Sequence, residues 1–449
     1  MRRKLFCVLL SLFIFCSSAG IKVSADGPYK LSVHVEQGKT AFVRAMDGSY
    51  LGNIFISLTD LSTALSGTEK QFRFERIVSS TDGEYFTVTR NQTSVLPSDS
   101  ENIPERPQTS TLNPYRNRLL VDGSERRYYT HNPKTGDLYM SLTDVQLMLD
   151  LTAERRGSEL VLKLSEPFLP DIHQLEQDGY FSMMNSVVLG DADTGELLYS
   201  YNRNTALPVA SLSKLMSYLL IMEAVAQGKA SLTDTVYISD AAEAISLSGD
   251  GMIVLQAGTS APFSELLEGM LIASSNECAV ALAEHICGSE AAFTAQMNSR
   301  ASELGFSSAK MYNCSGLPSY SDDPIPVKRQ NTMSAYHLFQ LSGMILRNYP
   351  EIQEITTKQL SHMPSLNDYW TANSNPLVFN MEGVTGLKTG STNRAGYCLV
   401  ATLPIETEGE NHMIVLVLLG AETAEIRGQA AEILLRYARN RVINEERSE

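Results

Sequence analysis

The sequence predicts an α/β domain over residues 181–440, preceded by a smaller α+β region over residues 26–165. Three observations support this division: an apolar strand followed by a hairpin turn, several amphipathic helical stretches after it, and a strand–helix pattern that occurs twice in the first third of the chain. A chain of 449 residues exceeds one ordinary domain, and 43% hydrophobic with 19% charged residues is a globular composition.

The first 25 residues have the three parts of a secretory signal peptide. Met1–Lys4 is basic, Leu5–Cys16 is apolar, and Val23–Ala25 supplies the small residues of a cleavage site. The apolar run is shorter than a membrane-spanning helix needs, although an uncleaved signal anchor is the alternative. We therefore expect an exported protein with no clear membrane anchor after cleavage.

Charge and cysteine content exclude several classes of protein. The net formal charge is −15, and the first 25 residues carry four basic and no acidic side chains, so the rest of the chain is more acidic still. An acidic surface argues against nucleic acid as a partner. Cys278 and Cys287 share a predicted helix, where nine residues correspond to roughly 13.5 Å of rise, too far for a disulfide. The histidines lack ligand spacing, so we expect no metal and no cofactor.

The region 26–165 contains an internal repeat. Residues 52–61 recur at 136–145, and each copy reads as a strand, a Ser/Thr/Asp helix cap and a short helix, over Asp60–Leu65 and Asp144–Leu149. Further strands are predicted at Leu31–Val35, Tyr85–Thr89 and Leu160–Leu164. Residues 95–116 and 166–180 read as linkers, because proline and polar residues dominate them.

The larger domain begins with a hairpin, Val187–Leu189 and Leu197–Tyr199, around the turn Asp193-Thr194-Gly195. Its remaining predicted elements are helices at Ser211–Ala226, Phe263–Ile272, Asn276–Ile286 and Thr423–Val442 and a strand at Ile414–Leu419. A polar tail is expected over residues 441–449.

Ser211 and Lys214 are the candidate nucleophile and base. At positions i and i+3 they fall on one side of a predicted helix that begins after Pro208. A serine hydroxyl needs a base at neutral pH, and a lysine serves when burial and a nearby positive charge lower its pKa. The free N–H groups of a helix N-terminus also stabilise an oxyanion.

The pattern Ser-x-x-Lys alone is weak evidence, because a chain of this length contains it about once or twice by chance. It recurs at Ser307–Lys310, and Lys-Thr-Gly occurs both at 134–136 and at 388–390. The order of the motifs along the chain separates a catalytic set from chance matches. Ser274-Ser275-Asn276 follows Ser211 at a turn between two apolar helices, and Lys388-Thr389-Gly390 follows later, just before a predicted strand.

The ordered trio resembles the active-site set of the D-alanyl-D-alanine carboxypeptidases, the low-molecular-weight penicillin-binding proteins. The resemblance extends over about residues 180–437. It includes Asp191–Tyr199, Leu207–Lys214, Asn276–His285, Asn313–Pro318 and Gly383–Ala401. It implies a serine β-lactamase/DD-peptidase-like fold, in which an antiparallel sheet is flanked by helices and joined to a helical subdomain.

The resemblance also implies a role for each motif residue. Ser211 is the acylated nucleophile, Lys214 accepts its proton, and Ser274 relays protons to the leaving group. Asn276 binds the substrate amide and steadies Lys214. The substrate-binding strand supplies Lys388, Thr389, Gly390 and Ser391: Lys388 attracts the substrate carboxylate and keeps Lys214 neutral, and Thr389 hydrogen-bonds that carboxylate. The backbone N–H groups of Ser211 and Ser391 form the oxyanion hole.

The implied reaction removes the terminal D-alanine from peptidoglycan stem peptides that end in D-Ala-D-Ala. β-Lactam antibiotics would acylate the same serine, and the protein would work outside the cell or on the cell wall. Two alternatives remain: a serine β-lactamase, although no Glu-x-x-x-Asn loop occurs between Asn276 and Lys388, and a non-catalytic cell-wall-binding protein on the same scaffold.

Several residues depart from the family pattern. Ser391 stands where relatives usually carry a bulkier side chain, and Ser275 replaces the more usual glycine. Ser315 lies in a segment, Ser315-Gly316-Leu317, that often contains a histidine in relatives. The second repeat copy, with Val121-Asp122-Gly123 upstream of it, resembles the N-terminal stalk-like domain of copper amine oxidases. We expect region 26–165 to be a spacer or a partner-binding module, with glycan binding as the alternative.

Overall fold

The computed structural model describes residues 23–446 except for 27–28, 37, 48–53, 81–82, 94–108, 113–116, 127, 129, 132–136, 158, 169–171, 173–175, 177–179, 321–326 and 408. Nearly all of the predicted signal peptide, and most of both predicted linkers, therefore lie outside the described residues. Within the described part, no helix has the length and apolar character needed to cross a membrane.

The region before residue 165 is β-rich. Its strands are β1 Val23–Asp26, β2 Tyr29–Val35, β3 Lys39–Asp47, β4 Ile54–Ser57, β5 Phe72–Ser79, β6 Gly83–Arg90, β7 Thr109–Leu112, β8 Leu119–Val121, β9 Ser124–Arg126, β10 Thr130–His131, β11 Tyr139–Ser141, β12 Thr152–Arg156 and β13 Glu159–Lys163, and its helices are α1 Leu58–Ala64 and α2 Leu142–Leu149. Seven strands form one sheet in the order β10-β11-β4-β3-β2-β13-β12, and four form another in the order β5-β6-β8-β9.

The two repeat copies lie side by side in the seven-stranded sheet. Strands β4 and β11 pair antiparallel, with Ser57 opposite Tyr139. Each strand ends in a serine whose Oγ accepts the backbone N–H three residues on, Ser57 from Asp60 and Ser141 from Asp144, both at 3.1 Å. The matching sequences thus form matching strand–cap–helix units. Strand β7, which pairs with β1, occupies four residues of the predicted linker 95–116.

The rest of the chain is the larger domain. Its strands are β14 Ser186–Asp191, β15 Leu197–Tyr201, β16 Leu207–Pro208, β17 Thr235–Tyr237, β18 Ser260–Pro262, β19 Ser319–Tyr320, β20 Lys328–Arg329, β21 Thr332–Met333, β22 Leu360–Met363, β23 Tyr369–Ala372, β24 Gly386–Thr392, β25 Gly396–Glu406 and β26 Asn411–Ala421. Its helices are α3 Ser213–Ala226, α4 Asp240–Ser246, α5 Phe263–Glu268, α6 Asn276–Cys287, α7 Glu290–Glu303, α8 Ala335–Asn348, α9 Ile352–Thr356, α10 Leu377–Asn380 and α11 Ala424–Glu446.

A five-stranded antiparallel sheet in the order β15-β14-β26-β25-β24 divides this domain into layers. Its central strands are buried on both faces, because alternate residues enter different cores. On β26, Val415 and Val417 pack with the helical subdomain around α3 and α6, whereas Leu416 and Leu418 pack with α11. Strand β24 forms one edge and borders the helical subdomain. The predicted sheet with flanking helices and a helical subdomain is confirmed.

The last helix joins the two regions. Helix α11 runs to Glu446, so it extends beyond its predicted end at Val442 and replaces most of the tail expected over 441–449. Gln429 Nε2 on this helix donates to Asp144 Oδ2 at 2.9 Å, and the Arg436 guanidinium donates to Leu147 O at 2.9 Å. The second repeat copy therefore packs directly against the closing helix of the larger domain.

Candidate active site

Ser211 lies in a tight turn immediately before helix α3. The short strand β16 pairs with β21 and leads into a 3₁₀ turn over Ala210–Leu212, so the nucleophile precedes the α-helix that the sequence predicted it would open. Ala210 adopts the left-handed conformation, with φ of 47°, which costs energy for a residue with a side chain. The turn leaves Ser211 partly exposed while its neighbours Ala210 and Leu212 are buried.

Two glycines allow the surrounding backbone to approach this turn. A Cβ at Gly390 would lie 2.8 Å from the Ser211 backbone nitrogen, and one at Gly316 would overlap the Ala210 carbonyl oxygen. Gly316 has a φ of 87°, in the region that favours glycine. The glycine at the third position of Lys-Thr-Gly is thus required by its distance from the nucleophile turn.

Lys214 is fully buried and contacts three oxygens at the base of the site. Its Nζ donates to Ser211 Oγ at 3.1 Å, to Asn276 Oδ1 at 2.7 Å and to Ser315 O at 2.9 Å. The two candidate motifs around Ser211 and Asn276 therefore meet at one amine. The backbone carbonyl of Ser315 is the third hydrogen-bond acceptor of the Lys214 amine. Because this contact depends on the position of the backbone, the type of residue at position 315 does not predict it.

Burial lowers the pKa of Lys214 to about 8. It also lowers the pKa of the buried Lys388 well below its usual value, with further lowering by the positive charges of Lys214 and Arg427. The sequence predicted that Lys388 keeps Lys214 neutral. The structure assigns the lowered pKa of Lys214 to burial. The repulsion between the two amines lowers the pKa of Lys388 instead.

The Ser274–Asn276 segment forms a sharp turn between a π-helical segment, Gly269–Ala273, and helix α6. Ser274 adopts a left-handed conformation with φ of 62° and is partly exposed. Its hydroxyl makes no hydrogen bond within the described residues. Ser275 caps α6 by accepting the Cys278 N–H at 3.0 Å, which gives this departure from the family pattern a structural role.

Asn276 is held by both ends of its amide. Its Oδ1 accepts from Lys214, and its Nδ2 donates to Asp250 O at 2.9 Å. The side chain is therefore fixed with its oxygen directed to the amine. This contact also connects the motif to the loop over residues 247–255.

Strand β24 supplies the remaining candidates. Lys388 Nζ donates to Thr389 O at 2.9 Å, and Thr389 Oγ1 lies 2.5 Å from Ser374 Oγ. Ser391 lies near the end of the strand and is exposed. Sequence reasoning did not find Ser374, which lies in the chain after β23 and belongs to no motif.

The sequence assigned no role to two further residues of the site. Arg427, on α11, is near enough to Lys388 to lower its pKa, and its guanidinium lies 6.0 Å from the Tyr397 ring centroid. Asn313 Oδ1 accepts the Gly316 N–H at 2.7 Å and so shapes the segment whose carbonyl contacts Lys214. The stretch 313–318 was noted for its resemblance, which is the signal that pointed to it.

The competing motif at 307–310 is exposed at both of its ends, Ser307 and Lys310. Lys310 Nζ lies 5.3 Å from the Tyr312 ring centroid, and within the described residues no hydrogen bond joins it to Ser307. The other Lys-Thr-Gly, at residues 134–136, lies outside the described residues.

A serine hydroxyl beside a buried amine of lowered pKa, with an amide and two further polar side chains around it, suits covalent acyl transfer. Combined with a five-stranded antiparallel sheet and a helical subdomain, this site defines the class of serine DD-peptidases and β-lactamases.

Comparison with known proteins narrows the class to a family. The family described as D-alanyl-D-alanine carboxypeptidase (Peptidase S11) matches residues 181–423. The chain therefore belongs to the Peptidase S11 family of serine D-alanyl-D-alanine carboxypeptidases, and the predicted resemblance is confirmed. The resemblance of the second repeat copy to the amine oxidase stalk-like domain stays a prediction.

Individual relatives are moderately similar. The chain is 34% identical over 255 residues to the D-alanyl-D-alanine carboxypeptidase DacF of Bacillus subtilis, an alignment covering 56% of this chain and 61% of that protein. It is 30% identical over 271 residues to DacA of Escherichia coli, covering 59% of this chain and 60% of that protein. The chain thus spans about three-fifths of the curated relatives it matches.

Solved structures agree on the fold. The crystal structure of a peptidoglycan synthesis regulatory factor (PBP3) from Streptococcus pneumoniae is 28% identical, with a TM-score of 0.52 over 57% of this chain and 73% of that chain. Penicillin binding protein 6B from Escherichia coli is 26% identical, with a TM-score of 0.50 over 60% of this chain and 78% of that chain.

Proposed function

We propose that this protein is a D-alanyl-D-alanine carboxypeptidase that removes the terminal D-alanine from peptidoglycan stem peptides through an acyl-enzyme on Ser211. The observation that carries the proposal is the 3.1 Å contact between Ser211 Oγ and Lys214 Nζ, an amine whose pKa burial lowers to about 8. An amine of that pKa is partly neutral at physiological pH, and the neutral form can take the hydroxyl proton. Membership of the carboxypeptidase family supports the choice of substrate.

Acylation transfers the D-alanyl group to the serine. Ser211 Oγ bonds to the carbonyl carbon of the scissile amide as its proton passes to Lys214. The negative charge on the carbonyl oxygen is stabilised by the backbone N–H groups of Ser211 and Ser391. The carbon–nitrogen bond then breaks as Ser274 donates its proton to the leaving amine and takes up the proton held by Lys214, so D-alanine departs and Lys214 is neutral again.

Deacylation regenerates the enzyme by the reverse proton path. Water attacks the ester carbon on Ser211, Lys214 accepts the water proton, and the proton returns to Ser211 Oγ as the ester bond breaks. The contacts of Lys214 with Asn276 Oδ1 and Ser315 O hold the amine in place through both steps. Water is the one further reactant in this scheme.

The substrate carboxylate decides which lysine carries charge. Burial lowers the pKa of both amines, and the charge of Lys214 lowers the pKa of Lys388 further, so protonation of one amine disfavours protonation of the other. A carboxylate bound beside Lys388 and Thr389 stabilises the protonated form of Lys388. That charge in turn favours the neutral form of Lys214. Binding of a substrate with a free carboxylate therefore promotes the form of Lys214 that accepts the proton.

β-Lactam antibiotics are proposed to acylate Ser211 in the same way. The similarity to penicillin binding protein 6B from Escherichia coli supports this proposal. Slow release of the acyl group would follow from the lack of a Glu-x-x-x-Asn loop between Asn276 and Lys388. Rapid turnover of penicillin would instead assign the site to a β-lactamase.

The proposal is tested by D-alanine release from a synthetic pentapeptide ending in D-Ala-D-Ala. Ser211→Ala is expected to abolish release, whereas Ser307→Ala, in the competing motif, is expected to leave it unchanged. Release that persists in Ser211→Ala contradicts the proposal. A wild-type protein that releases nothing, while still folded, favours the non-catalytic cell-wall-binding alternative.

We also propose that the protein acts after export, as the first 25 residues predict. Fractionation of cells that express the full chain tests this: recovery from the medium or the wall fraction is expected, and retention in the cytoplasm contradicts it. Region 26–165 is proposed to be a spacer or partner-binding module, and its contacts with α11 make it also a support for the catalytic domain.

A further inference from the structure

One buried carboxyl group beside the candidate site has no part in the proposed reaction scheme. Glu277 follows Asn276 in the first turn of α6 and is fully buried. Its Oε1 accepts the Met252 N–H at 2.9 Å and also the Ile253 N–H. Its Oε2 is buried and has no hydrogen-bond partner within the described residues. Burying a carboxylate with one oxygen unpaired costs free energy, so its presence at this position needs an explanation.

The surroundings of Glu277 stabilise a negative charge on its carboxylate. Two backbone N–H groups donate to one of its oxygens. The residue also lies at the N-terminal end of α6, where the helix dipole carries a partial positive charge. Glu277 therefore places an anion inside the protein, next to the motif residue Asn276.

Glu277 and Asn276 hold the same loop from two adjacent positions. Asn276 Nδ2 donates to Asp250 O at 2.9 Å, and Glu277 Oε1 accepts the N–H groups two and three residues further along the loop. The ends of the loop are joined separately, because Ser246 Oγ donates to Leu255 O at 3.1 Å. Glu277 thus fixes the middle of the loop, which includes the carbonyl that Asn276 contacts.

The position of this loop determines the orientation of the Asn276 amide. With Nδ2 bonded to Asp250 O, the other end of the amide, Oδ1, accepts from Lys214 Nζ at 2.7 Å. If the loop moved away, the amide could rotate and present Nδ2 to the amine, which would then lose an acceptor. Anchoring of the loop by Glu277 therefore keeps the amide oxygen directed at Lys214.

Glu277 also acts on Lys214 through its charge. Burial lowers the pKa of Lys214, and three acidic side chains, those of Cys314, Glu277 and Cys278, oppose this lowering. Burial raises the pKa of both thiols, so they are neutral near pH 7. Among these three groups, the Glu277 carboxylate is therefore the one that carries charge.

Two further ionisable groups lie in the same surroundings. The charge of Lys214 lowers the pKa of the buried Lys388 on β24, after the larger effect of burial, and Glu290 Oε1 on α7 accepts from Cys314 Sγ at 3.1 Å. A substitution at Glu277 leaves both groups in place. The effect of such a substitution on Lys214 therefore reports the loss of one charge.

Resting on the proposed function, we infer that Glu277 is a positioning residue for acyl transfer, which anchors the loop that orients Asn276 and holds a fixed negative charge near the Lys214 amine. It acts through Asn276 and Lys214 rather than on the substrate itself. An amine whose pKa fell far below neutral would be unprotonated but too weak a base for a serine hydroxyl. The charge of Glu277 opposes that outcome and keeps Lys214 basic enough to take the proton.

The test uses Glu277→Gln in the full chain, because glutamine keeps the shape and one acceptor oxygen but removes the charge. The pH dependence is measured both for kcat/KM of D-alanine release from a pentapeptide and for the rate of acylation by benzylpenicillin. Without the negative charge, the pKa of Lys214 falls. The rise of both profiles is therefore expected to move to lower pH by about 0.5–1 unit, with a loss of less than about threefold on the plateau.

Glu277→Ala separates the anchoring role from the charge. It removes the acceptor of the Met252 and Ile253 N–H groups together with the charge, so Asn276 loses the fixed carbonyl of its loop. The plateau rate of this variant is expected to be about tenfold or more below that of Glu277→Gln. Equal plateau rates in the two folded variants overturn the anchoring role.

Glu284→Gln is the matched control, because it removes a carboxylate about two turns along the same helix, where Oε2 accepts from Ser239 Oγ at 2.6 Å. This variant is expected to keep the wild-type profile. A midpoint in Glu277→Gln equal to that of the wild type, or an equal shift in Glu284→Gln, overturns the inference and leaves the proposed function intact. A folded wild-type protein that neither releases D-alanine nor reacts with benzylpenicillin rejects the proposed function, and the inference with it.

Discussion

Lys214 Nζ lies 2.7 Å from Asn276 Oδ1, inside the protein and between two segments separated by 62 positions in the chain. The amide oxygen has no charge, so it accepts a hydrogen bond from the amine without strongly stabilising the ammonium form. This relationship, more than the sequence motif, distinguishes Lys214 from a lysine that forms a structural ion pair.

Replacing that neutral oxygen with a charged one should prevent Lys214 from acting as a base. Asn276→Asp places a carboxylate beside Lys214, which raises the pKa of the amine and keeps it protonated. We expect kcat/KM at neutral pH to fall about 100-fold or more, with its pH inflection moved upward. Asn298→Asp, on a helix outside the site, is the matched control, and equal losses in both variants would reject this account.

The pH dependence of the unmodified enzyme follows from the same amine. Below its pKa of about 8, Lys214 is increasingly protonated and cannot accept the Ser211 proton. We expect kcat/KM to rise with pH and level off above about pH 8, as measured with a pentapeptide under single-substrate conditions. A profile that is flat from pH 6 to pH 9 would contradict the assignment of Lys214 as the base.

The spacing between β24 and the nucleophile turn predicts an effect of Gly390→Ala. The added Cβ would lie 2.8 Å from the Ser211 backbone nitrogen, so the strand or the turn must move. Overpacking of this kind costs about 1–3 kcal/mol, and here it displaces the oxyanion-binding N–H as well. We expect acylation by penicillin to slow by at least tenfold in stopped-flow measurements. Gly409→Ala, where an added Cβ meets nothing, should behave as wild type.

The contact between the repeat region and α11 predicts coupled stability. Arg436 donates to Leu147 O and pairs with the buried Glu432 at 3.2 Å, so Arg436→Met leaves a buried carboxylate without this partner. We expect the free energy of unfolding to fall by about 1–3 kcal/mol in denaturant titrations. Arg156→Met removes an exposed ion pair and should change stability by less than about 0.5 kcal/mol. A stability unchanged in Arg436→Met would show that the two regions are energetically independent.

Much of this organisation was predictable from the sequence because it depends on local patterns. The hairpin of β14 and β15, the helices around Ser211 and Asn276, and the paired repeat copies all follow from periodicity and capping residues. The predicted ends of helices and strands were less accurate. The π-helical turn before Ser274 and the 3₁₀ turn at Ser211 interrupt stretches whose apolar periodicity favours an uninterrupted helix.

The parts that could not be predicted depend on contacts between distant backbone atoms. Ser315 contributes its carbonyl and Ser374 contributes a hydroxyl from outside any motif, so neither residue type marks the role. The protonation of Lys388 likewise depends on burial and on Arg427 from the last helix, which only the folded chain brings together.

The most direct test of the central claim is to locate the covalent adduct after treatment with benzylpenicillin. Trypsin should release Ser211 on the peptide 204–214 and Ser307 on the peptide 301–310, so mass spectrometry separates the two candidate motifs. The account predicts a stoichiometric adduct on peptide 204–214, with fragment ions that place it on Ser211 rather than Ser213. An adduct on peptide 301–310, on Ser213, or on no serine of the folded protein would contradict it.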